Sequence, residues 1–81
     1  MIRLWIWIPA VQKRFECRLP LSASFMECIP YLNRMLEPEL EGNYQIPETA
    51  WIIEESSGRR ISGEVTLSHQ NLKDGMCVAV V

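Results

Sequence analysis

The spacing of apolar residues changes once in the first half of the chain, at Pro20, and that change constrains the fold more than any other feature. Before it, Ile2, Leu4, Ile6 and Ile8 alternate with Arg3, Trp5 and Trp7, and Phe15, Cys17 and Leu19 alternate with Arg14, Glu16 and Arg18. A period of two belongs to a strand with one buried face, because successive side chains leave by opposite sides. Pro9 closes the first run and Pro9–Gln12 makes a short connection, so the two runs read as an amino-terminal hairpin. After Pro20, Phe25, Cys28, Ile29, Leu32, Met35 and Leu36 fall on one face of a helix.

Ser24 and Glu27 have the spacing of a capping box at the start of that helix. Pro30 lies inside it, where a missing N–H bends the axis; a start with Pro30 at the first helical position is the other option. The apolar face runs through the proline in phase, which predicts one bent helix over 24–36. "EPELEGNYQIPE" then reads as a loop, "TAWIIEE" as a third strand, "SSGR" as a turn and Arg60–Ile61 as a short fourth strand. A helical turn is expected at Leu67–Gln70, a chain reversal at "KDG" and a last strand at "MCVAVV". This order predicts an α+β, β-grasp fold for a single domain over 1–81. Its mixed sheet has four to five strands, one helix covers one face, and strands one and five run parallel in the middle.

If the helix lies on Ile2, Leu4, Ile6, Phe15, Cys17, Leu19, Val78 and Val80, then Trp5 and Trp7 stand on the uncovered face. Cys77, Ala79 and Val81 join them from the last strand, flanked by Arg14, Glu16 and Arg18 from the second. The third strand adds either Ile52 or Trp51 with Ile53, depending on register. Trp51 and Ile53 are expected inward, and a one-residue slip reverses that. Two indoles among small apolar neighbours make a candidate interaction surface of Trp5, Trp7, Cys77, Ala79, Val81, Arg14 and Arg18.

Chemistry has little to work with. His69 is the only histidine, beside Ser68 in a loop with no acidic partner placed by the sequence. The three cysteines, Cys17, Cys28 and Cys77, share no paired spacing, so neither a zinc site nor a disulfide framework is expected. Cys17 and Cys28 fall at core positions; Cys77, on the outer face, is the one candidate for thiol chemistry. Gly42, Gly58, Gly63 and Gly75 are isolated, without a phosphate-cradling loop. No catalytic residue, metal or cofactor is therefore assigned, and the chain is read as a non-enzyme. A net charge of −2 gives no reason to expect nucleic acid. The basic group Lys13, Arg14 and Arg18 and the acids Glu37, Glu39, Glu41 and Glu48 read as solvated surface. With no signal peptide and no apolar run of membrane-spanning length, a cytoplasmic protein is expected, without direct membrane insertion.

"TLSHQNLKDGMCVAVV" resembles the final quarter of ubiquitin, with Leu67, Leu72, Val78 and Val80 at core positions and Asn71 in the connecting loop. The whole chain resembles the YukD/EsaB family, the ubiquitin-like proteins of type VII secretion in bacteria. It also resembles the cytosolic amino-terminal domain of EccD-type membrane components. "FMECIPYLNRML", with Pro30 where EccD-type domains often carry proline, "RRISGEVTLS" and "LKDGMCVAVV" carry the likeness. The resemblance implies a non-catalytic protein–protein interaction module, accessory to a type VII (WXG-type) secretion system. Its partners would be a secretion membrane component, the motor ATPase or a second copy of itself, holding it at the inner face of the cell membrane. Ubiquitin and the sulfur carriers ThiS and MoaD need a flexible Gly-Gly tail; with Val80-Val81 at the end of this sequence, activation as a modifier or sulfur carrier is the alternative not expected. The isolated cytosolic domain of a larger secretion membrane protein is a further alternative.

Overall fold

A computed structural model describes residues 1–40 and 44–81. Strands β1 (Ile2–Ile8) and β2 (Lys13–Leu19) pair antiparallel, joined by a short 3-10 turn at Pro9–Val11. Helix α1 (Phe25–Leu40) follows, then β3 (Ile52–Glu54), β4 (Arg60–Ile61), a 3-10 turn at Leu67–His69 and β5 (Met76–Val80). The five strands form one sheet in the order β2-β1-β5-β3-β4. β1 and β5 are parallel neighbours, and the other pairings are antiparallel. A mixed sheet with one helix across one face is the β-grasp arrangement expected from the change of period.

The alternation in β1 is translated into burial: Leu4, Ile6 and Ile8 are sealed from solvent and Ile2 nearly so, while Arg3 and Trp5 are exposed and Trp7 is half-buried. Cys17 and Leu19 of β2 and Val78 and Val80 of β5 complete the sheet's side of the core. α1 contributes Phe25, Cys28, Ile29, Leu32, Leu36 and Leu40. Its start is capped reciprocally: Glu27 N–H donates to Ser24 Oγ at 3.2 Å and Ser24 N–H to Glu27 Oε1 at 3.1 Å.

The helix is longer than its sequence pattern predicts, running to Leu40 rather than ending near residue 36. Leu40 stands four residues after Leu36, so burying it extends the apolar row by one turn. Pro30 and Pro38 both sit on the exposed side of α1, away from its buried row. The remainder of the expected "EPELEGNYQIPE" loop includes Glu41–Asn43, outside the described residues. Beyond them Ile46 is buried, and Asn33 clamps its backbone: Ile46 N–H donates to Asn33 Oδ1 at 2.7 Å and Asn33 Nδ2 to Ile46 O at 3.1 Å.

The expectation for the third strand is reversed. Ile52 points inward, 2% exposed, between Val80 and Ile61, whereas Trp51 and Ile53 lie on the other face. "WIIEE" has no alternation of its own to read, so partner strands decide its parity. Ile52 completes the buried aliphatic row Val80–Ile52–Ile61 across three strands.

Candidate interaction face

The uncovered side of the sheet is built in rows, because side chains of matching parity stand abreast across paired strands. One row runs Arg14, Trp7, Ala79, Ile53, Arg60, crossing all five strands. The next runs Glu16, Trp5, Cys77, and reaches Glu55, whose N–H donates to the Cys77 carbonyl at 3.1 Å. Each row has an apolar centre and like charges at its ends, arginines in the first and glutamates in the second.

Trp51 belongs to this same face. Trp51 and Val81 exchange both backbone hydrogen bonds at 2.9 Å, continuing the β3–β5 ladder by one pair. Their side chains therefore share the face of Cys77 and Ala79. All three tryptophans of the chain stand on one side of the sheet. Trp5 is 37% and Trp51 53% exposed; Trp7 is half-buried. Sequence reasoning located Trp5, Trp7, Cys77, Ala79 and Val81 on this face and missed Trp51 and Ile53. The available signal was Ile61, the single apolar residue of β4, which must face the core and so draws its partner Ile52 inward.

Cations cover part of the aromatic surface. The Arg14 guanidinium carbon lies 5.4 Å from the centre of the Trp7 ring. Its side chain crosses β1 and β5: Nη1 donates toward Cys77 Sγ at 3.6 Å, and Nη2 reaches the two Glu55 carboxylate oxygens at 3.2 and 3.4 Å. Arg60 stacks on Trp51 at 4.0 Å. Both contacts are cation–π in geometry, and at this exposure the Arg14–Glu55 ion pair is worth at most about 1 kcal/mol. Arg18 stands at the rim, directly opposite Arg3.

The residues considered for chemistry are dispersed. His69 Nδ1 is 2.6 Å from Thr66 Oγ1, in the turn after Thr66. Burial pushes the Cys17 thiol up to about 12, helped by Cys28 and Glu16, and burial with Glu27 raises that of Cys28. Cys77 is partly exposed beside Arg14. Among the described residues no group of His, Cys, Asp or Glu is placed to hold a metal ion. No helix among them is long and apolar enough to cross a membrane.

No protein-family model and no curated protein matches the chain. In fold it is similar to one chain of the MycP5-free ESX-5 inner membrane complex (State II), with a TM-score of 0.72 and 12% identity over 99% of its length. It is also similar to a chain in the crystal structure of ATBAG1 in complex with HSP70, with a TM-score of 0.64 and 21% identity over 100% of its length. The chain spans 20% and 40% of those two proteins. At these identities the likeness is one of fold: both contain a small β-grasp unit.

Proposed function

We propose that the chain is a non-catalytic protein–protein interaction module, a ubiquitin-like accessory component of a bacterial type VII secretion system. Its outer sheet face docks on a secretion membrane component or the motor ATPase, in the cytoplasm at the inner side of the membrane. The observation that carries this reading is the gathering of Trp5, Trp7 and Trp51 on the face the helix leaves uncovered. Exposed aromatic side chains beside arginines have the composition of interface centres rather than of ordinary surface. The secretion setting rests on the sequence resemblance to YukD/EsaB and EccD-type domains, and the fold likeness to a chain of the ESX-5 inner membrane complex supports it.

A second reading makes the chain one domain of a larger membrane component, and the 20% share of the ESX-5 complex chain that it spans favours it. Coding sequence continuing from it into membrane spans would decide for that reading. In either setting, replacing Trp5 and Trp7 together with threonine should abolish capture of the secretion components from cell extracts, while the far-ultraviolet circular dichroism stays that of the folded chain. Capture undiminished in the folded double variant would remove the face from the proposal.

A further inference from the structure

A separate surface, the free edge of β2, carries an inference independent of the tryptophan face. β2 is the terminal strand of the sheet. The direction of its backbone groups follows from Arg3: its N–H donates to Asp74 Oδ1 at 2.8 Å and its carbonyl accepts from Gly75 N–H at 2.7 Å, both toward β5. Backbone groups alternate along a strand, so Ile2, Leu4, Ile6 and Ile8 bond to β2 through their partners Leu19, Cys17, Phe15 and Lys13. Arg14, Glu16 and Arg18 therefore aim their N–H and C=O groups away from the sheet. An edge of this kind is a template for another strand.

We propose that this edge pairs antiparallel with the same edge of a second copy of the chain, about a twofold axis at Cys17. Three neighbouring registers can be compared by what they bring together. Centred on Glu16, the pairing sets Glu16 on Glu16 and Arg14 on Arg18, like charge on like. Centred on Phe15, it sets Arg14 against Glu16 on the open side, but places the charge of Lys13 against Cys17 on the helix-covered side. Centred on Cys17, it sets Phe15 against Leu19 on the covered side, and Glu16 against Arg18 of the second copy on the open side. Only this last register has an apolar inner row and opposite charges outside. It also answers a feature the single chain leaves unresolved. Arg18 stands directly opposite Arg3, whose charge is met by Glu16 at 3.9 Å and Asp74 at 3.8 Å, while Arg18 itself has no ion-pair partner among the described residues. Glu16 of the second copy supplies one. Charges of a single sign would blunt the edge; alternating signs let it complement itself, and the apolar pairing of Phe15 with Leu19 on the covered side selects the register.

A ladder this short lies below the roughly 1,200 Å² of a stable interface, so the dimer forms at high concentration or where a larger assembly holds two copies together. Sedimentation equilibrium of the 81-residue chain should show concentration-dependent dimerisation by about 1 mM, the weak end of specific association. Glu16→Arg alone and Arg18→Glu alone should each weaken it about tenfold, since each turns both cross-strand ion pairs into repulsions. An equimolar mixture of the two variants should restore dimerisation as a heterodimer, because each variant then meets its opposite charge. A wild-type chain that stays monomeric at that concentration overturns the proposal and leaves the edge to an extended segment of some other protein. Loss in Glu16→Arg with none in Arg18→Glu, or a folded mixture that does not recover, overturns the register.

Discussion

At the scale of single residues, adjacent side chains along β1 meet very different environments. Leu4 and Ile6 have no contact with water, while Trp5 between them is more than one-third exposed. Cys17 shows what burial does to a titratable group. In the unfolded chain its thiol ionises near its ordinary value of 9.0; in the fold it is held up to about 12, chiefly by desolvation. The folded state therefore keeps a proton that the unfolded state releases. The stabilisation is complete below about pH 9 and is lost as pH rises through the folded value. Stability measured by urea unfolding should fall with a slope of up to about 1.4 kcal/mol per pH unit from this one group. Cys17→Ala should be less stable at neutral pH but show a shallower alkaline decline. An unchanged slope would mean that Cys17 ionises as freely in the fold as outside it.

At the scale of elements, α1 is held by devices beyond its apolar stripe. The Ser24–Glu27 box satisfies two backbone N–H donors at its start. Asn33 does the same service for the segment that returns from the helix, accepting from and donating to Ile46. Asn33→Ala should lower stability by about 1–3 kcal/mol, because it leaves the N–H and C=O of a buried residue unpaired. Hydrogen exchange should quicken first at the Ile46 amide; an unaltered rate there would show that the clamp is dispensable. The capping box was legible in the sequence as a spacing of three. The Asn33 clamp was not, since nothing local to Asn33 marks which backbone thirteen residues on will meet it. The far end of α1 was misread for a related reason. The proline in "EPEL" signals a helix end, and only the burial of Leu40 against the fold outweighs that signal.

At the scale of the whole molecule, one small core supports two different surfaces. A chain of 81 residues has a total stability of roughly 4–12 kcal/mol, so its central side chains matter singly. Leu4→Ala should cost about 2–5 kcal/mol and bring the chain to the margin of unfolding, as read by its urea midpoint. The Trp5→Thr, Trp7→Thr double variant, altering the opposite face of the same strand, should retain most of its stability. Equal losses in the two would mean that the tryptophans are structural rather than available for docking. Trp5 and Trp7 were legible as outward-facing because parity in β1 is clean. The full face was not, because Trp51 joins it through pairing with Val81 and Arg14 reaches Glu55 across two intervening strands.

Alternation, capping and turn residues determined on their own which sides of β1, β2 and β5 are buried, where α1 begins and how the chain reverses at Asp74-Gly75. Each is a property of neighbours in sequence, set by backbone geometry within a few residues. Tertiary structure alone decided that Ile52 rather than Trp51 enters the core, that α1 continues to Leu40, and that three indoles share one face under Arg14 and Arg60. Those outcomes depend on which distant segments compete for the same volume, and close packing selects among local patterns that are equally acceptable to the chain itself.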